Sequence, residues 1–181
     1  KGKIKPSVEY KFGSKSLYLF SPDDVEKYRK ELGIKEHNND TIKQDFFEFL
    51  EERDYSLSYK MQFLLAFVKN VDSIGDAKID DVLNDYIAFY QDRIDRGLQV
   101  DRSTCPYNET TLKDKKLICR NMLTNPFEKF ERKRFLYYSK DLSIIAMNHT
   151  LYSKMNEKDW NRVKSQMQED LEHYYSDMGG I

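Results

Sequence analysis

Eight cations crowd residues 113–134 against three acids, a net charge of +5 in a chain whose total is −1. Lys113, Lys115, Lys116 and Arg120 come first, on the helix the surrounding pattern predicts. Lys116 and Arg120 stand four apart, the spacing that shares a helix face. Lys129, Arg132, Lys133 and Arg134 follow, then Tyr138 and Lys140. Clustered cations with several N–H donors are what phosphates require, and an aromatic ring beside them can stack on a base or sugar. The same residue types serve equally as solvated helix faces, or as a surface that meets an acidic protein. Residues 23–54 and 72–101 each carry a net charge of −5, so charge is segregated along the chain. Segregation of this kind steers a polyanion to one face of a near-neutral protein.

Other chemistry finds less support. There is no GxxxxGK[ST] loop to cradle a nucleotide, and the glycines are scattered apart from Gly179 and Gly180. Glu9-Tyr10-Lys11 has the Glu-x-Lys spacing of a metal-dependent nuclease strand, but the upstream Asp is missing and Asp23 and Asp24 lie downstream. A solvent-facing strand edge accounts for it. Asp72, Asp76, Asp80 and Asp81 mimic a calcium loop without its central glycine or closing glutamate, so Asp76 or Asp80 reads as a helix cap. Cys105, Cys119, His37, His149 and His173 are too dispersed for zinc, and neither cysteine sits in a nucleophile motif. His149 is followed by Thr150 and Leu151, not by the HxK of phospholipase D-like nucleases. The expectation is a segment without catalytic machinery, cofactor, metal or small-molecule substrate.

The elements that must position the cations follow from periodicity. Val8, Tyr10, Phe12, Leu17 and Leu19 alternate around Gly13 and Ser14, a β-hairpin. Ser21 and Pro22 open a helix that Gly33 ends, with Val25, Tyr28 and Leu32 on one face. Ile42, Phe46, Phe47, Phe49 and Leu50 turn a second helix inward. Helices are then expected over 57–71, 79–96 and 112–123, the second ended by Gly97 and the third capped by Thr110 or Thr111. Residues 98–109 read as a loop, and Asn125 and Pro126 start a brief turn through Phe127 and Phe130. Two strands joined near Lys140 and Asp141 make a second hairpin. Tyr137 and Tyr138 point to opposite faces of its first strand. Trp160, Val163, Met167, Leu171 and Tyr174 make the stripe of a closing helix.

Three helices followed by a hairpin is the winged-helix order, in which the third helix can enter a major groove and the wing lies along the backbone. The fold expected is mainly α with short β-hairpins (α+β): an N-terminal hairpin-helix unit over 1–55 and a winged-helix-like domain with its closing helix over 56–181. The candidate nucleic-acid contacts are Lys113, Lys116, Arg120, Lys129, Arg132, Lys133, Arg134, Tyr138 and Lys140.

Four stretches carry a resemblance: FSPDDVEKYRKELGI, DFFEFLEERDYSLSYKMQFLLAFV, GDAKIDDVLNDYIAFYQDRIDRG and NPFEKFERKRFLYYSKDLSIIAMN. Together they resemble the C-terminal, non-motor region of bacterial superfamily II helicases, of the DEAD/DEAH-box-like, type III restriction-like kind. Some of these carry a phospholipase D-like nuclease domain at the front. The resemblance implies ATP-driven DNA unwinding or translocation by a longer protein, with motor domains elsewhere in the same chain. It carries over no catalytic residue, since the motor motifs are absent. The first residue is lysine rather than methionine, as in a segment of a longer protein. Two lone cysteines, no apolar run of membrane length and no signal peptide fit a cytoplasmic setting. DNA is the expected partner, and protein interaction through the same basic block is the alternative.

Overall fold

The computed structural model describes residues 5–12, 15–31 and 38–178. It is mainly helical with two small antiparallel sheets. Two compact units divide the chain, residues 1–38 and 39–181.

In the first unit, strands β1 (Val8–Phe12) and β2 (Lys15–Leu19) pair antiparallel, Val8 opposite Leu19 and Tyr10 opposite Leu17. Those four apolar residues share one face, and each is more than two-fifths exposed. Helix α1 (Pro22–Glu31) starts where expected: the Ser21 hydroxyl accepts from the Asp24 amide at 3.1 Å. No residue of α1 is buried, Val25 included. The expected turn at Gly13 and Ser14, and the expected helix end at Leu32 and Gly33, lie outside the described residues.

The second unit is built around α3 (Tyr59–Asn70). Nine of its twelve residues are buried, because α4 (Ile79–Asp95) and α8 (Glu157–Asp177) pack along it. Helix α2 (Ile42–Glu51) belongs to this unit. The Phe46 ring lies edge-on to Phe135 at 5.3 Å and Phe49 edge-on to Phe130 at 5.2 Å. All five inward residues expected of α2 are buried. The division therefore falls between Asn38 and Asn39, where a boundary after residue 55 was expected from the sequence.

Between α3 and α4 the chain makes β3 (Asp76–Lys78), a strand that periodicity did not reveal. Three residues are too few to show alternation, and β3 is defined by its partner β5 (Ile144–Met147). β5 also pairs with β4 (Leu136–Ser139), giving the antiparallel order β3-β5-β4. From α3 to β5 the order is helix, strand, helix, helix, strand, strand, with the last strand central in the sheet.

The turn before β3 has its own logic. Gly75 sits at φ +95°, and a Cβ there would stand 2.9 Å from the Tyr152 ring. Asp72 Oδ1 accepts from the Ile74 and Asp76 amides, both at 2.9 Å. These bonds hold the Asp72 carboxyl below its ordinary range. The expected capping by Asp76 or Asp80 does not occur; Lys78 is the N-cap of α4 and offers no side-chain bond. Gly97 ends α4 at φ +67°, with the Leu98 amide donating to the Arg93 carbonyl.

The long loop that follows is pinned from inside. Asp101 is buried and accepts from the Ser58 amide at 3.0 Å and from the Tyr174 hydroxyl. Tyr107 stacks on Tyr59 at 4.8 Å, in a cluster with Tyr86 and Tyr90. Helix α7 (His149–Lys154), capped by Asn148, precedes α8; this short helix went unrecognised in the sequence. The Asn156–Asp159 capping box opens α8, and Val163, Met167, Leu171 and Tyr174 form its buried stripe.

Candidate nucleic-acid interface

Helix α5 (Lys115–Met122) begins at Asp114, whose side chain accepts from the Leu117 amide at 3.0 Å. The expected caps, Thr110 and Thr111, instead belong to a 3-10 turn, Thr111–Lys113, held on Asn108. Lys113 is therefore not on the third helix, a correction to the expected placement. Ile118 and Met122, four apart, face the core. Lys116 and Arg120 lie on the opposite, exposed side, while Cys119 is half-buried at the edge of the core.

The helix does not stop at Met122. A π turn, Leu123–Phe127, carries it into α6 (Glu128–Arg132). Pro126 has no N–H to give, so a regular turn would lose a backbone bond there; the π widening accommodates it. Thr124 Oγ1 donates to the Arg120 carbonyl at 2.8 Å inside this turn. The wider turn leaves Phe127 and Phe130 buried against Phe63.

A groove of about 620 Å³ lies between this helix and the hairpin. Asp80 and Leu83 of α4 form one wall. Lys115, Lys116, Cys119, Arg120, Leu123 and Thr124 form the second, and Tyr138 of β4 with Lys140 of the wing the third. Tyr138 lies on the inward side of the sheet, in register with buried Ile145, and its ring meets Phe127 edge-on at 6.3 Å. Tyr137 lies on the outward side, exposed, its hydroxyl accepting from Asn148 Nδ2 at 3.1 Å.

The electrostatics of the groove are uneven. Lys115 donates to Asn84 Oδ1 at 2.8 Å. Lys116, Arg120 and Lys140 form no ion pair among the described residues. Asp80 is the single acid on the lining. Burial, then Asp80, pushes the Cys119 thiol up, so it stays protonated near neutrality. Burial, then Cys119 and Asp80, pushes the Tyr138 hydroxyl up as well. The cavity thus has an apolar floor and a cationic rim.

The nine candidates separate. Lys116, Arg120, Tyr138 and Lys140 meet at the groove. Lys113 pairs with Glu109 at 3.0 Å. Lys129 pairs with Asp54 at 3.6 Å and Arg132 with Glu128 at 2.9 Å. The Lys133 ammonium sits 5.9 Å from the Phe49 ring centre. Arg134 occupies the left-handed position that ends α6, at φ +59°. None of these five lines the groove. Lys115, Asp80, Leu83 and Leu123 do, and were not among the candidates. Lys115 was within reach of sequence reasoning, one residue before Lys116. The α4 wall was not, because only the tertiary packing brings it there.

Among the described residues, no group of three or more His, Cys, Asp or Glu side chains is placed to hold a metal ion. No helix among them is long and apolar enough to cross a membrane. No family model matches this chain, no curated protein matches it, and no solved structure matches it.

Proposed function

We propose that the second unit holds DNA, without catalytic machinery of its own, as the accessory domain of a bacterial helicase-like protein. One observation supports this above the others. Three cations that pair with no acid among the described residues, Lys116, Arg120 and Lys140, face one groove between the third helix and the wing. A polyanion supplies the missing counter-charge, and release of its condensed cations drives association. The order of elements supports DNA in particular, since helix and wing are the parts that meet groove and backbone in winged-helix complexes. The resemblance to superfamily II C-terminal regions supplies the expected neighbour, a motor in the same chain.

The test is fluorescence anisotropy of labelled DNA against rising salt. Three phosphate contacts give a slope of log affinity on log salt near −2.7, at about 0.9 per contact. A slope corresponding to less than about one contact, or no binding at about 50 mM salt, overturns the reading. Binding of an acidic peptide in place of DNA reassigns the groove to protein recognition.

A further inference from the structure

A duplex backbone needs cations on a rim; it has no use for an apolar recess behind them. The groove has both. Its rim is Lys116, Arg120 and Lys140, and its floor is Tyr138 with Leu83 and Leu123. Tyr138 is held in place by the Phe127 ring, so its orientation is set before any ligand arrives. The volume, about 620 Å³, lies within the range of small-ligand clefts, which runs from about 300 to 1,000 Å³. An occupant must therefore combine negative charge with a flat apolar body. Within a nucleic acid only an unpaired nucleotide offers that, because a paired base keeps its faces in the stack.

We infer that the groove receives an unpaired nucleotide, its base on the Tyr138–Leu83–Leu123 floor and its phosphates on Lys116, Arg120 and Lys140. The inference rests on the DNA reading and deepens it: the domain prefers ends, forks and single-stranded tails over continuous duplex. Asp80, the one acid of the lining, is unsuited to phosphate and available to accept from a base amino group.

The experiment compares a blunt duplex with the same duplex bearing a six-nucleotide tail, each with 2-aminopurine in a paired or an unpaired position. The tailed DNA is expected to bind about tenfold more tightly, the worth of one stacked base. Unpaired 2-aminopurine is expected to be quenched and paired 2-aminopurine unchanged. Tyr138→Leu should abolish both the quench and the preference while leaving the salt slope, and Tyr138→Phe should retain them. The quench is read on the unaltered chain, so it does not depend on how the Leu variant folds. Equal binding of blunt and tailed DNA with no quench overturns the nucleotide inference and leaves the DNA reading standing. No binding of either DNA overturns both.

Discussion

Two clusters of cations, drawn from the same residue types, sit on one continuous run of helix and end in different situations. At its start, Lys116 and Arg120 meet Lys140 across a groove and pair with no acid among the described residues. At its end, Lys129 and Arg132 spend their charge on Asp54 and Glu128. In the sequence the second cluster is the denser, with Arg132, Lys133 and Arg134 in succession. The difference shows that the density of a charge run does not locate a groove: Arg132 is answered by Glu128, Lys133 sits beside the Phe49 ring, and none of the three lines the cavity.

The largest expected effect breaks the two clusters apart by function. Lys116→Glu with Arg120→Glu should weaken DNA binding on the order of 100-fold at low salt, because two contacts are lost and two repulsions added. Lys129→Glu with Arg132→Glu should change affinity less than about threefold. Equal losses from the two pairs, measured by anisotropy with melting curves as a folding control, would show that the clusters act as one surface.

The second effect concerns stability on the paired side. Lys60 is buried, its ammonium 3.7 Å from the centre of the Phe49 ring and donating to the Phe49 carbonyl. Burial, and then the nearby Lys129 charge, lowers its pKa to about 8. Below pH 8 both folded and unfolded chains carry the proton, and folding bears the full cost of burying it. Between pH 8 and 10 the folded chain has released the proton while the unfolded chain keeps it, so stability rises with pH. The rise should be about 2 kcal/mol in denaturant titrations. It turns over above pH 10, where Tyr55 and Tyr59, held well above their ordinary range by burial, begin to favour the unfolded chain. Lys60→Met should flatten the rise, and Lys129→Ala should shift it to higher pH. A profile unchanged in both variants would show that the ammonium is not the cause.

Much of the fold was legible because it is written locally. Five inward residues of α2, the stripe of α8, the Ser21 cap and the Gly97 end are each set by neighbours within a turn. What escaped is set by partners far along the chain. β3 is a strand only because residues 144–146 lie beside it. The α5 cap lies at Asp114 because Asn108 draws Thr110 and Thr111 into a separate turn. The candidate site divides the same way. Lys116 and Arg120 share a face by their spacing alone, but their meeting with Lys140 and Leu83 needs the folded unit. That Tyr137 and Tyr138 face opposite ways was evident from strand geometry; which of them reaches the groove depends on the β4–β5 register.

A third effect tests the residue that joins the clusters to the wing. The Arg134 amide donates to the Glu131 carbonyl and the Phe135 amide to Phe130, a helix end whose left-handed position usually holds glycine. Arg134→Gly should stabilise the chain by about 0.5–1 kcal/mol, by relieving the positive φ. Unchanged DNA affinity in that variant would place Arg134 outside the DNA contacts; a loss of tenfold would extend those contacts beyond the groove to the end of α6.

The smallest effect decides how the paired cluster is to be understood. Arg132 and Glu128 are an i, i+4 pair on the solvent side of α6, with most of the arginine exposed. A double-mutant cycle with alanine at both positions should give a coupling of about 0.3–0.5 kcal/mol, falling further with salt. A value that small means the pair contributes little to holding the domain together. Its consequence is electrostatic: Glu128 cancels Arg132 locally and leaves the groove as the stronger field toward an approaching phosphate. Removing the acid alone therefore makes the sharper measurement. Glu128→Ala should leave melting nearly unchanged and raise DNA affinity slightly at low salt through long-range attraction, with no change in the 2-aminopurine signal. A change in that signal would mean that Arg132, once freed, reaches the same nucleotide, and the two clusters would then have to be counted as one site.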